Sequence, residues 1–302
     1  MPSPNFFIVG APKSGTTSLY HYLIQHPDVF IPSSKEPRFF INDHILNTND
    51  IDPIKEYLLR TSILEECEYL NLYKDRKEKV LADASTQYLH HYKEVIPKIK
   101  AMVKNPKILI LLRNPTDRAY SNYLHNSLTY EKLSFLDSIA AENKRVEDKF
   151  NSFWFYKELS MYSAPVKAYK SAFSQVKLVL FEDFIRDTQE SMRDIYSFLE
   201  IDPKFQISEY LVNKKNTGIP KIKWLHKMLN ASKNLGVFKK ITLFILGEDK
   251  LKLIVELIMR SNLSKKKNRL SDKLRKEVDA IFLQDVQRLQ REQPELNINW
   301  MK

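Results

Sequence analysis

Short apolar runs punctuate the chain, and most are followed by a turn signal and then by a stretch with helical periodicity. Five such runs predict β-strands: Phe6 to Val9, Val29 to Ile31, Lys79 to Ala82, Ile108 to Leu112 and Val176 to Phe181. Runs that are apolar throughout are typical of parallel strands that are buried on both faces. The pattern therefore predicts an α/β fold, a P-loop-like three-layer domain in which helices flank a mainly parallel sheet.

Helical periodicity is clearest at the two ends of the chain. The first stretch, Thr16 to Gln25, is closed by Pro27, because proline disfavours a helical conformation in the residue before it. The last stretch, Leu270 to Gln293, carries apolar residues at helical spacing, and Ser271 is a suitable N-cap. In the middle of the chain, the pattern of apolar and polar residues also predicts helices over Phe135 to Phe150 and Phe153 to Ala172. We expect a single domain over residues 1–302, although this length would also allow two smaller ones.

The segment GAPKSG, between the first strand and the first helix, has the composition of a phosphate-binding loop. Two of the chain's five glycines, Gly10 and Gly15, stand here at the spacing G-x4-G of a P-loop. Glycine lets successive backbone N–H groups turn inward around an anion, and the following helix directs its positive end to the same place. Each glycine alone would fit an ordinary turn, and Lys13 a solvated charge. The complete order of strand, loop and helix favours phosphate binding.

The residues that follow this loop argue against a magnesium-bound triphosphate. A standard P-loop continues with lysine and then serine or threonine, whereas this chain has Thr16 and Thr17 there and carries Lys13 inside the loop. The strand that would end in a magnesium-binding acid ends instead in Arg113. A nucleoside triphosphate is therefore not the expected ligand.

A second anion site is predicted in the segment RNPTDRAYS. Arg113 follows an apolar strand, Pro115 suits the first position of a helix, and Ser121 lies in the early turns of that helix. In an alternative interpretation, Arg113 pairs with Asp117 and Ser121 lies at the boundary of the core. Because ligands bind at the carboxyl ends of parallel strands, the two motifs together predict a ligand with two phosphate groups.

The segments FIVGAPKSGTTSLYHYLIQHP and RNP-x-D-R-x-x-S resemble the 5′-phosphosulfate loop and the 3′-phosphate site of sulfotransferases that use 3′-phosphoadenosine 5′-phosphosulfate (PAPS). The resemblance is to the carbohydrate-type branch, which includes heparan sulfate sulfotransferases and bacterial relatives, and it covers most of the chain. It implies PAPS as the donor and a donor site formed by Lys13, Ser14, Gly15, Thr16, Thr17, Ser18, Arg113 and Ser121. It also implies a basic loop over the 3′-phosphate, for which Lys267 and Arg269 are candidates, although the glycine usual in that loop is missing.

The same resemblance implies a catalytic base. The segment KEPRFF matches the family pattern KE-x-x-FF, whose glutamate, here Glu36, removes the acceptor's proton as its oxygen attacks sulfur. Without the family pattern, Glu36 would be interpreted as a solvated acid paired with Lys35 or Arg38. His125 is a second candidate base, for which a partly buried helix position is the simpler interpretation. Asp83 is a secondary acid that we expect to face the acceptor.

The implied reaction is in-line transfer of a sulfonyl group to a hydroxyl, or less favourably an amine, of a carbohydrate or small metabolite. Adenosine 3′,5′-bisphosphate (PAP) is the leaving group. Lys13, the loop N–H groups and Thr16 or Thr17 would stabilise the charge that grows on the leaving phosphate and the sulfonyl oxygens. No metal is expected, because the lysine and the backbone dipoles take the part that magnesium takes in kinases.

Composition limits the possible ligands of the protein and indicates its cellular location. Lys plus Arg number 48 against 37 Asp plus Glu, and the net charge of +11 suits phosphosulfates, acidic glycans, nucleic acid or anionic membranes alike. Cys67 is the only cysteine, so an intrachain disulfide is impossible. The chain shows neither a signal peptide nor an apolar run of about 20 residues, so we expect a cytoplasmic protein without a membrane span. The expected partner is the acceptor and not nucleic acid.

Two other functions remain open from the sequence. A P-loop small-molecule kinase would require a lysine in place of Thr16 and an acid in place of Arg113. A non-catalytic protein that binds nucleotides or polyanions would explain the charge, but not the formed nucleotide loop. Replacement of Glu36 by alanine separates the enzyme, which would lose turnover, from the binding protein.

Overall fold

A computed structural model describes residues 2–34, 36–208 and 270–301. The described residues form a five-stranded sheet in the order β2-β3-β1-β4-β5, and every neighbouring pair of these strands is parallel. The strands are β1 (Phe6–Gly10), β2 (Val29–Phe30), β3 (Val80–Asp83), β4 (Lys107–Leu112) and β5 (Val176–Leu180). The predicted mainly parallel α/β sheet is therefore confirmed, with β1 at its centre.

Helices connect the strands and flank the sheet. The α-helices in the described ranges are α1 (Thr16–Leu23), α2 (Asn42–Leu46), α3 (Lys55–Thr61), α4 (Glu66–Asn71), α5 (Tyr92–Met102), α6 (Pro115–Ser127), α7 (Phe135–Ala140), α8 (Glu142–Glu147), α9 (Ser163–Ala172), α10 (Phe181–Arg186), α11 (Thr188–Leu199) and α12 (Asp272–Glu292). Short 3₁₀ turns occur at Phe39–Ile41, Thr86–Leu89, Ser152–Trp154 and Glu158–Ser160. None of the helices that the structure describes is long and apolar enough to cross a membrane.

Two predicted helices differ from the observed ones, and for one of them a long-range contact explains the difference. The stretch from Phe153 to Ala172 contains two 3₁₀ turns, and its α-helix begins only at Ser163. The carboxylate of Asp285 fixes that start, because it accepts hydrogen bonds from the backbone N–H of Tyr162 at 2.6 Å and from the Ser163 hydroxyl at 2.5 Å. The stretch predicted over residues 135–150 is divided into α7 and α8.

The sheet is covered on both faces, as its apolar strands predict. Along β1, Phe7 and Val9 belong to one buried cluster, whereas Phe6 and Ile8 belong to the other. Side chains alternate between the faces of a strand, so β1 contributes to both clusters and is buried on both sides. The first cluster also contains residues of the last helix, and the second contains Leu19 of α1.

The last helix, α12, forms polar contacts with α6 and with the start of α9. The hydroxyl of Thr116 on α6 donates to Asp279 at 2.5 Å, and Asp117 forms an ion pair with Arg275. Its predicted N-cap is confirmed, since the Ser271 hydroxyl accepts a hydrogen bond from the N–H of Leu274 at 3.3 Å. α6 follows β4 directly, so these contacts position the second predicted anion site.

Candidate donor and acceptor site

The predicted phosphate loop joins the central strand to α1. Gly15, which precedes α1, has φ +91°, and Lys13 also adopts the left-handed conformation, with φ 67°. A Cβ atom added at Gly15 would lie 2.7 Å from the ring of Phe181, so both the backbone conformation and the available space require glycine there. Thr16, Thr17 and Ser18 form the first turn of α1, where the positive end of the helix faces the loop.

Two buried hydroxyl groups at this loop have hydrogen-bonding capacity to spare. The hydroxyls of Ser14 and Tyr162 are buried, and neither makes a hydrogen bond of normal geometry with the residues that the structure describes. Burial raises the pKa of Tyr162, and the nearby charge of Arg118 and the Ser14 hydroxyl both oppose that rise. Buried hydroxyls are normally paired, so these two groups fit a site that takes up phosphate or sulfonate oxygens.

Arg113 lies at the same loop, although one hundred residues of sequence separate the two motifs. Its Nη1 donates a 3.0 Å hydrogen bond to the carbonyl of Lys13, and its guanidinium carbon lies 4.8 Å from the centroid of the Phe181 ring. Asp117, the alternative partner for Arg113, is instead paired with Arg275. The structure therefore brings the two predicted anion motifs together at the carboxyl edge of β1 and β4.

Sequence reasoning missed a second arginine at the loop. Arg118 on α6 is completely buried, and its Nε donates to the carbonyl of Pro12 at 3.1 Å. Its other nitrogens donate to the carbonyl of Tyr156, the hydroxyl of Ser160 and the side-chain carbonyl of Asn122. A signal was present in the sequence, because Arg118, Asn122 and Asn126 repeat every four residues and place three polar side chains on one face of the helix.

Glu36 lies in the loop before the first 3₁₀ turn, with 22% of its side chain exposed. Its Oε2 forms an ion pair with Nη2 of Arg38 at 2.9 Å, and its Oε1 accepts a hydrogen bond from the Thr86 hydroxyl at 3.1 Å. Thr86 belongs to a 3₁₀ turn that packs against the phosphate loop, since a Cβ atom on Gly10 would lie 2.9 Å from the Thr86 carbonyl oxygen. The carboxylate is thus held next to the loop and remains partly open to solvent.

Asp83 does not face an acceptor, contrary to the expectation from the sequence. Its carboxyl group is fully buried and accepts hydrogen bonds from the hydroxyls of Ser85 at 2.6 Å, Tyr69 at 2.7 Å and Tyr88 at 3.0 Å. Burial raises its pKa to about 6, against the opposing effect of these hydrogen bonds. The Ser85 hydroxyl also accepts from the N–H of Arg38 at 3.0 Å, so this network supports the loop that carries Glu36.

The structure gives fewer contacts for the remaining residues that the sequence predicted for the site. Ser121 is half-buried on α6, so the structure leaves its contact with a 3′-phosphate as a prediction. His125 is exposed rather than partly buried, with its ring 5.8 Å from that of Phe153. Lys267, Arg269 and Lys35 lie outside the described residues. In the described ranges, no group of three or more His, Cys, Asp or Glu side chains is arranged to hold a metal ion.

The sequence of residues 3–290 matches the family model of the sulfotransferase domain. The chain belongs to the sulfotransferase family. A sulfotransferase from Alicyclobacillus acidocaldarius is similar to this sulfotransferase with a TM-score of 0.72 and 31% sequence identity, over 97% of this chain and 96% of that one. The predicted family is thereby confirmed, whereas the prediction of a single domain over residues 1–302 stays a prediction.

Curated relatives of this sulfotransferase include enzymes named for carbohydrates. Human bifunctional heparan sulfate N-deacetylase/N-sulfotransferase 3 is 24% identical over 71% of this chain, and rat carbohydrate sulfotransferase 15 is 24% identical over 74%. The chain spans only 24% of the length of the first relative and 49% of the second.

Proposed function

We propose that this sulfotransferase transfers the sulfonyl group of PAPS to a hydroxyl group of a carbohydrate or small metabolite, with an amine as the second acceptor class. The hydrogen bond from Arg113 to the carbonyl of Lys13 carries this proposal. It joins a phosphate loop that lacks the triphosphatase lysine to an arginine where a Walker B acid would stand. That combination suits a bisphosphorylated adenosine better than a magnesium-bound triphosphate.

The donor supplies an activated sulfonyl group and a phosphate leaving group, and the chain supplies the means of holding them. Lys13, the loop N–H groups and the first turn of α1 would hold the 5′-phosphosulfate, and the buried Ser14 hydroxyl offers an unused donor there. Arg113 and Ser121 would hold the 3′-phosphate. Groups that the fold has already positioned would stabilise the developing charge without reorganising.

Glu36 is proposed as the base that removes the acceptor's proton. Its Oε1 is aligned by the hydroxyl of Thr86, and its partial exposure leaves room for an acceptor to approach. The ion pair with Arg38 keeps the carboxylate in one orientation. In the balanced step, the acceptor oxygen forms a bond to sulfur, the bond from sulfur to the leaving phosphate oxygen breaks, and the acceptor proton passes to Glu36.

Carbohydrate is the proposed acceptor class because the names of two relatives refer to heparan sulfate and to carbohydrate sulfation. The net charge of +11 is compatible with an acidic glycan. A small metabolite remains the alternative acceptor.

The proposal is tested by incubating the protein with sulfur-labelled PAPS and a panel of acceptors that contains glycan oligosaccharides, simple sugars and small alcohols. We expect label to move to at least one acceptor, and Glu36→Gln to abolish transfer while it leaves the affinity for PAP unchanged. Glu65→Gln, at an exposed carboxylate, is the matched control and should retain full activity. If PAP binds but Glu36→Gln transfers at the wild-type rate, Glu36 is not the base. If PAPS and PAP do not bind, the chain is not a PAPS-dependent enzyme.

A further inference from the structure

Arg118 is a buried charge in contact with the phosphate loop. Its Nε bonds to Pro12 inside the loop, and the side chain is completely buried, so it cannot touch a ligand directly. We propose that Arg118 is a positioning residue of the donor site, which orients the loop and attracts the 5′-phosphosulfate end of the donor through a positive charge to which no carboxylate is hydrogen-bonded in the described part of the chain. This inference rests on the proposed function.

The first argument is that the hydrogen-bond partners of Arg118 are all electrically neutral. They are the carbonyl oxygens of Pro12 and Tyr156, the hydroxyl of Ser160 and the amide oxygen of Asn122, at 2.7 to 3.1 Å. Buried arginines are usually paired with a carboxylate, because an unpaired charge in the interior is costly. The four bonds therefore give each nitrogen of Arg118 at least one acceptor, but leave its positive charge without a bonded counter-ion in the described part of the chain.

The second argument is that burial disfavours this charge, so that a nearby anion would stabilise it. Burial lowers the pKa of Arg118 to about 10, and the like charge of Arg113 acts in the same direction, whereas Tyr162, Glu142 and Tyr156 oppose the shift. The guanidinium is still protonated at neutral pH. Two neighbouring positive charges that each bond to the loop would both be stabilised by an anion held in that loop.

The third argument concerns the direction of the loop N–H groups. In a trans peptide the C=O and the N–H point in opposite directions. Because Arg118 holds the carbonyl of Pro12, the N–H of Lys13 in the same peptide points away from the guanidinium. Loss of Arg118 would release this peptide and reduce the number of N–H groups fixed for an anion.

Two nucleotides separate the proposed role from a merely structural one. PAP has a phosphate at each end, whereas adenosine 3′-phosphate lacks the one that the loop would hold. The Kd of adenosine 3′-phosphate divided by the Kd of PAP therefore measures the contribution of the 5′-phosphate alone, and this quotient is called the Kd ratio below. Calorimetry gives this ratio for the wild type, Arg118→Met and Asn122→Asp, and for Asn126→Asp as a control.

Asn122→Asp tests the charge without removing Arg118. It replaces the amide oxygen 2.7 Å from Nη2 by a carboxylate, which gives Arg118 an internal counter-charge. The carbonyl of Phe153 loses the amide donor of Asn122 but keeps the one from Asn126, at 3.1 Å. Asn126 is also buried on α6, and its amide bonds to Phe153 and Tyr156 and not to Arg118.

We expect Arg118→Met and Asn122→Asp to reduce the Kd ratio by roughly tenfold, as for loss of one strong charge interaction, and Asn126→Asp to leave it within about twofold. If Arg118→Met does not fold, Asn122→Asp decides the question. An unchanged ratio in Asn122→Asp, or an equal fall in Asn126→Asp, overturns the inference while the proposed function stands. If the wild type binds neither nucleotide, the proposed function fails and this inference fails with it.

Discussion

Arg113 donates a 3.0 Å hydrogen bond to the carbonyl of Lys13, and this bond joins two sequence motifs that lie one hundred residues apart. Parallel pairing of β1 with β4 makes it possible, because it brings the residues after both strands to the same edge of the sheet. The loop after β1 and the segment after β4 therefore lie together, and we propose that they form one anion site. Each of the following predictions concerns a contact within that proposed site or beside it.

Gly15→Ala should destabilise the protein and weaken nucleotide binding. Alanine is strained at φ +91°, and its Cβ would lie 2.7 Å from the Phe181 ring, so we expect a loss of about 1–3 kcal/mol in the free energy of unfolding. Urea unfolding measures this loss. The double variant Gly15→Ala/Phe181→Ala removes the clash but not the backbone strain, so the effect of Gly15→Ala should be smaller in that background. An equal effect in both backgrounds would show that the Phe181 contact is unimportant.

Thr86→Val should lower kcat with little effect on PAP affinity. Valine keeps the shape of threonine but cannot donate the 3.1 Å hydrogen bond to Glu36, and a bond to a charged group contributes about 1.5–3 kcal/mol. We therefore expect a fall in kcat of about tenfold or more. Thr48→Val is the matched control, because Thr48 is equally buried and its hydroxyl bonds to the carbonyl of His44 instead. A normal kcat in Thr86→Val would mean that this bond does not orient the base.

Asp83 should make the protein less stable as the pH rises from about 4 to about 6. Burial raises its pKa from 3.8 to about 6, so in this window the folded protein binds a proton that the unfolded chain has released. Stability is therefore favoured at low pH and lost as the pH passes through the folded pKa, by at most about 3 kcal/mol.

The measurement that isolates this effect is the difference in unfolding free energy between the wild type and Asp83→Asn across that pH range. The subtraction matters because other buried groups titrate nearby: burial also raises the pKa of Glu142 to about 6 and lowers that of His44 to about 4. We expect the wild type to lose stability relative to Asp83→Asn as the pH rises. A constant difference would mean that Asp83 titrates normally.

The sequence predicts those site residues whose positions depend on a single continuous segment of strand, loop and helix. The phosphate loop follows from the order of Gly10, Lys13 and Gly15 after an apolar strand, and Arg113 follows from its place at the end of another. Both were found where the strand pattern placed them, and the parallel sheet brings them together.

Contacts between distant segments were not predictable in the same way. The bond from Thr86 to Glu36 spans 50 residues, and the bond from Arg118 to Pro12 spans 106. Neither residue belongs to a pattern that names its partner. The burial of Asp83 was also missed, because the hydroxyls that satisfy its carboxyl group come from segments before and after β3. An acidic residue at the end of a strand looks the same in the sequence whether it faces solvent or buried tyrosine and serine hydroxyls.

The most direct test of the account is calorimetric titration with PAP, AMP and ATP with magnesium. We expect PAP to bind far more tightly than the other two, and Arg113→Ala to weaken PAP by at least about tenfold, as expected for loss of a charge-assisted phosphate contact. Arg60→Ala, at an exposed arginine on α3, should bind PAP like the wild type. Preference for ATP with magnesium, or failure to bind any of the three nucleotides, would contradict a PAPS-dependent sulfotransferase.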